Sequence, residues 1–147
     1  MAASVRLVRR LLPFTLAAGW AWFIFWVSSS PAPLGSDSAA SFLDFLPRED
    51  LFAHGIAYAA LAWLVMLTLL PIKLCKPINV SLRFVMPIVI AGVYGIAMEF
   101  VQDGIAERSA EALDVVADVA GALLTVAFMG YLWPKVKGVW RAVASLL

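Results

Sequence analysis

The chain has little of what marks a soluble enzyme or a nucleic-acid binder. Cys75 is its only cysteine, which excludes an internal disulfide, a paired-thiol redox motif and a thiolate zinc site. His54 is its only histidine, so the chain holds no histidine pair for a metal. Charged residues make up 14% of the 147 positions and the net charge is +1, so no strongly basic surface exists for nucleic acid. No internal repeat, low-complexity block, Ser–His pair or established catalytic signature is present.

What the chain has in quantity is apolar surface. Hydrophobic residues make up 63%, and the mean hydropathy is +0.92. A soluble domain carries about 45–50% apolar residues, so a water-soluble fold of this size would leave much of that surface exposed. The class that fits is an integral membrane protein of one domain, all-α and polytopic. An apolar run of about 18 residues is enough for a transmembrane helix. Four runs qualify: residues 8–28, 51–70, 84–102 and 112–133. The stretch SSSPAPLGS (28–36) ends the first, PIKLCKP (71–77) ends the second, and the third starts after Arg83. Ser109 is placed to cap the fourth through its hydroxyl. Arg6, Arg9 and Arg10 ahead of an apolar run resemble a signal peptide. The run is long, carries Trp20, Trp22 and Trp26, which are expected to be lipid contacts, and lacks a small-x-small cleavage site, which favours an uncleaved helix.

Basic residues give the direction of the spans. Arg6, Arg9, Arg10, Lys73, Lys76, Arg83, Lys135, Lys137 and Arg141 fall on one side, and only Arg48 and Arg108 on the other. Both termini are therefore expected in the cytoplasm. Every acid falls on or near the opposite, outer face: Asp37, Asp44, Glu49, Asp50, Glu99, Asp103, Glu107, Glu111, Asp114 and Asp118. The positive-inside rule does not require this, since acids contribute little to it. Phe42, Leu43, Phe45 and Leu46 suit a short outer interfacial helix. Val136, Trp140, Val143 and Leu147 suit an amphipathic helix on the inner surface.

Three of the spans carry polar stripes at their outer ends. Residues three or four apart share a helix face. Asp50, His54 and Tyr58 form one stripe, Glu99 and Gln102 a second, and Asp114, Asp118, Gly121, Ala122 and Thr125 a third. At 1.5 Å rise per residue, His54, Glu99 and Asp118 lie at similar depth, roughly 5–10 Å below the outer boundary. Gly95, Gly121 and Ala122 would let the three helices approach closely. A charge at the bilayer centre costs about 2.5–3.5 kcal/mol on insertion scales. Grouped carboxylates also oppose one another's ionisation. Compensation can come from Arg108, a protonated His54, a shared proton or a metal cation, and the residues alone leave these open.

The polar residues also carry a family resemblance. DLFAHGIAY (50–58), YGIAMEFVQ (94–102) and RSAEALDVVADVAG (108–121) stand in order and at the spacing of the VanZ-like membrane proteins, which the chain resembles over about residues 50–124. Leu51 stands where that family usually has Lys, Asp118 where it usually has Asn, and Thr125 near where it often has Gly. These departures make the site more negative and a divalent cation ligand more plausible. The resemblance implies a multi-pass protein of the bacterial cytoplasmic (inner) membrane. Some members of the family are associated with low-level resistance to the glycopeptide antibiotic teicoplanin.

Three kinds of function fit these residues. The first is an enzyme on an envelope lipid or lipid-linked precursor. His54 would be its general acid/base, Glu99, Asp114 and Asp118 would hold a divalent cation or position a nucleophile, and Arg108 would hold a phosphate. The second is a non-catalytic binder or translocator of an amphiphilic ligand, a membrane lipid or an antibiotic, with transport requiring a homo-oligomer. The third is structural, with the cluster fixing helix register. His54, Glu99 and Asp118 are the candidate catalytic residues. Asp50, Tyr58, Tyr94, Gln102, Arg108 and Asp114 are the candidate ligand-binding residues. Each has a plainer role open to it. His54 can make one interhelical hydrogen bond, and Glu99 can pair with Arg108 or His54. Asp114 can answer the positive end of a helix, and the two tyrosines can be core or interfacial aromatics.

Overall fold

Apolar runs of this length meet water nowhere along their middle, so the backbone must satisfy its own hydrogen bonds, and the helix does this within one segment. The computed structural model describes residues 2–30, 49–69, 76–105 and 111–145, with side chains for 11–30, 51–69, 82–105 and 111–132. The described residues form four helices and no strand: α1 (Ala2–Ser28), α2 (Glu49–Leu69), α3 (Lys76–Asp103) and α4 (Ala112–Ser145). Each contains a segment long and apolar enough to cross a membrane: Leu11–Ser28, Leu51–Leu69, Leu82–Asp103 and Ala112–Leu132. These 18 to 22 residues span roughly 27–33 Å at 1.5 Å each, against a hydrocarbon core of about 30 Å.

The helices outrun the expected spans where polar residues still favour helix. α3 begins at Lys76, before the apolar run, and α1 reaches back to Ala2. The tail beyond Trp133 is not a separate element, because α4 continues without a break to Ser145. The segment around Phe42–Leu46 was expected at the outer interface and lies outside the described residues, as does Ser109. α4 begins at Ala112, and the Asp114 amide donates to the Glu111 carbonyl at 3.0 Å, which puts Glu111 in the capping position.

α2 is the middle of the bundle. It packs most extensively on α4, and also on α1 and α3, while α1 touches α3 lightly. Its inward residues Tyr58, Leu61, Ala62, Val65 and Met66 are buried, together with Ile24 from α1, Ala91 and Met98 from α3, and Ala122 from α4. Only 11–28% of each span is buried inside the protein, so most of each span is available to lipid. Trp22, Val93, Phe100 and Leu124 are among the large exposed side chains.

Lipid tails are as apolar as leucine, so close packing and hydrogen bonds must join the helices. Gly121 supplies the closest approach. A Cβ there would collide with the carbonyl oxygen of Gly55, so α2 and α4 touch backbone to backbone. Three side-chain donors reach a neighbouring helix's carbonyls, using the lone pair that the helix's own ladder leaves over. Trp20 Nε1 donates to Ala57 at 2.8 Å, Tyr94 Oη to Ala21 at 2.6 Å, and Thr125 Oγ1 to Ala59 at 3.1 Å. Trp22 and Trp26 have the exposure of lipid contacts. Trp20 departs from that expectation and ties α1 to α2.

Candidate functional site

The three polar stripes meet. α2 starts, α3 ends and α4 starts at the same end of the bundle, so His54, Glu99, Asp114 and Asp118 come within about two turns of their helix ends. Asp114 and Asp118 are one turn apart on α4 and take the histidine from two sides. His54 Nδ1 lies 3.0 Å from Asp118 Oδ1, and His54 Nε2 lies 3.8 Å from Asp114 Oδ2. The shorter contact is a hydrogen bond. It fixes the ring so that Nε2 faces Asp114, as a carboxylate partner does for a ligating or catalytic imidazole.

Asp118 is the floor of the site. Its side chain is fully buried, and Oδ2 lies so close over Gly95 that a Cβ there would collide with it. Gly95 therefore makes room for a carboxylate rather than for a helix backbone. Oδ2 has no hydrogen-bond partner among the described residues. Tyr58 lies one turn below His54, its ring parallel to the imidazole at 4° with centroids 6.3 Å apart. It is 1% exposed, and its hydroxyl finds no partner among the described residues. It supports the histidine from the core.

Glu99 reaches the cluster from α3. Its Oε2 accepts from the Glu111 amide at 2.7 Å. That amide is one of the orphan donors at the start of α4, normally met by the helix's own capping side chain. Here another helix supplies the acceptor. Oε1 is left without a partner among the described residues, in a side chain from a residue 6% exposed. His54, Glu99 and Asp114 each offer one donor atom, and these atoms all lie within 4.8 Å of one another. Of the paired groups, the His54 side chain keeps 18% of its surface exposed, Asp114 8% and Asp118 none. The cluster thus opens at the histidine.

The remaining candidates divide. Gln102 is buried on α3 one turn from Glu99. Tyr94 tilts against Tyr58 with ring centroids 6.3 Å apart. Its hydroxyl goes to Ala21, so it joins α1 to α3 instead of facing the cluster. Asp50 is in the first turn of α2, but its side chain lies outside the described residues, and so does all of Arg108. Two contributors escaped the sequence. Glu111 offers only a backbone amide, which has no residue signature. Gly55 is an isolated glycine in an apolar helix, and its carbonyl matters because Gly121 is opposite. Comparison with known proteins adds no identity: no family model, curated protein or solved structure matches the chain.

Proposed function

We propose that the chain is a VanZ-like protein of the bacterial cytoplasmic membrane, whose outward-facing intramembrane cluster binds the headgroup of an amphiphilic envelope molecule. Candidate ligands are an envelope lipid, a lipid-linked precursor or a glycopeptide antibiotic. The observation that carries this reading is the convergence of His54, Asp118, Asp114 and Glu99 from three helices, with unpartnered buried oxygens on Glu99 and Asp118. One buried hydrogen bond fixes the register of a bundle. Four ionisable groups at one level exceed that need, and ionisable residues inside a membrane are functional by default. The opening at His54 gives a headgroup a way in, and the apolar outer face of the bundle lets the tails remain in the bilayer.

The test has two arms. Lipid extracted from the detergent-purified protein and identified by mass spectrometry should contain one enriched amphiphile, which Glu99→Gln loses. An extract indistinguishable from bulk membrane lipid, in both proteins, contradicts the reading. The sidedness is tested separately at Cys75. A membrane-impermeant maleimide should label it only after the cells are permeabilised, and labelling of intact cells would place the cluster on the wrong face.

A catalytic reading is favoured by one specific feature. The Asp118–Nδ1 bond leaves Nε2 facing the cluster, the geometry of a general base. It predicts turnover of the bound amphiphile that Glu99→Gln abolishes while binding persists.

A further inference from the structure

The donor set at the mouth of the cluster is that of a metal centre. His54 Nε2 is the free ring nitrogen, because Nδ1 is engaged by Asp118. Beside it is Asp114 Oδ2 at 3.8 Å, and a ring nitrogen of His54, a carboxylate oxygen of Asp114 and one of Glu99 all lie within 4.8 Å of one another. Zinc bonds of about 2.0–2.1 Å put tetrahedral donors roughly 3.3 Å apart, so the Nε2–Oδ2 gap needs to close by about half an ångström. Other gaps between the donors, which reach at most 4.8 Å, would close by up to about 1.5 Å on binding.

Grouped acids alone would not make a site. The second observation is Glu99. Its residue is 94% buried by the 6% exposure it retains, and Oε1 has no partner among the described residues. A buried carboxylate oxygen without a donor or a cation is costly. Glu99 is also held in place from behind, since Oε2 is pinned by the Glu111 amide. Asp118 does the same for His54. Both ligands are thus oriented by a partner outside the donor set, as metal ligands usually are.

From this geometry we infer that His54, Glu99 and Asp114 bind one divalent transition-metal ion, with Asp118 and the Glu111 amide as positioning groups. The imidazole favours zinc or iron over magnesium and calcium, and the two carboxylates also suit manganese. A divalent cation would answer the charge of the Glu99 and Asp118 carboxylates, whose Oε1 and Oδ2 have no hydrogen-bond partner among the described residues. Three protein donors leave at least one position for a ligand oxygen, on the side where His54 is exposed. The inference rests on the reading of the cluster as a ligand site, since it needs the same opening. It also assigns Nε2 to the metal and so excludes the general-base role for that nitrogen.

The experiment uses the full chain in detergent, stripped with EDTA and dialysed. Zinc chloride and, separately, manganese chloride are titrated calorimetrically, and lipid extracts of the same samples are analysed by mass spectrometry. The expected result is one ion per chain. Binding should weaken at least tenfold in Glu99→Gln and in Asp114→Asn. In Asp118→Asn it should weaken by about 10–100-fold, the usual effect of removing a partner behind a ligand. Glu99→Gln keeps an oxygen for the Glu111 amide, so it remains informative if the Asp114 variant does not fold. No binding by the wild type, or equal binding by the wild type and a monodisperse Glu99→Gln, overturns the inference. A copurifying amphiphile without metal binding overturns it and leaves the headgroup reading standing. Metal binding without any enriched amphiphile supports it and removes the headgroup reading.

Discussion

Toward Leu69, α2 meets its neighbours through Leu61, Ala62, Val65 and Met66; toward Glu49 it meets them through His54 and Tyr58. The first half is joined by apolar contact, with neutral hydrogen bonds from Thr125 to the Ala59 carbonyl at its boundary and from Trp20 to the Ala57 carbonyl just inside the second half. Such bonds average about 0.6 kcal/mol in a membrane bundle. The second half places a histidine and three carboxylates where neutral residues would pack with less cost. Helices in one bundle can be joined either way, so the difference between the halves is not explained by assembly. Both halves hold the helices together, the polar half through the Gly55–Gly121 contact and the Trp20 bond to Ala57, and only the polar half carries charges that assembly does not need.

The sharpest way to break that comparison is at the backbone contact within the polar half. Gly121→Leu drives a side chain into the Gly55 carbonyl, and the expected outcome is loss of the monodisperse peak in size-exclusion chromatography. Gly121→Ala should still cost about 3 kcal/mol, at the upper end of overpacking effects. A normal melting profile for Gly121→Leu would mean that α2 and α4 do not touch there.

The next effect comes from stranding a charge. His54→Ala leaves Asp118 buried without its hydrogen bond, and breaking a buried pair costs about 3–5 kcal/mol. Adding Asp118→Leu should recover most of that loss, because replacing both partners by apolar groups is often neutral or better. Melting of the single and double variants in detergent measures both. If the double variant melts as low as the single one, the pair is a clasp and the polar half is structural.

Neutral ties should matter less. Tyr94→Phe removes the bond to Ala21 and Trp20→Phe the bond to Ala57, each costing about 0.6 kcal/mol, and because Trp20 and Ala21 are neighbours the two should couple rather than add when combined. The smallest effects belong to the lipid face. Trp22→Leu and Leu124→Ala change exposed residues and should stay within about 0.5 kcal/mol.

Much of this was legible before any helix was placed. Apolar run length gives the four spans, and the i, i+4 spacing of Asp114 and Asp118, with His54 and Tyr58 on the facing helix, gives the stripes that meet. Of the small residues Gly95, Gly121 and Ala122, Gly121 marked a close approach of backbones, whereas Gly95 makes room for the Asp118 carboxylate. What could not be read is which helix faces which. Periodicity assigns a residue to a face but not to a partner. Trp20 therefore read as a lipid contact and Tyr94 as a ligand residue, whereas both bond to backbone carbonyls 37 and 73 positions away. The role of Glu99 as a cap for another helix was hidden for the same reason, since its partner is an amide every residue has. Gly55 went unnoticed because one glycine in an apolar helix has no meaning until Gly121 stands opposite.

The central claim is that the charges of the polar half are there for a ligand and not for stability, and Glu99→Gln tests it most directly. The substitution keeps the oxygen that caps α4 and replaces the other oxygen, with the charge beside Asp114 and His54, by a neutral amide NH2. Thermal unfolding of the detergent-solubilised protein with EDTA present compares it with the wild type. The account predicts a melting temperature equal to or above the wild type, because functional sites store opposing charge that a neutral residue relieves. A variant that melts several degrees lower would contradict it and make the cluster a fastening of the bundle.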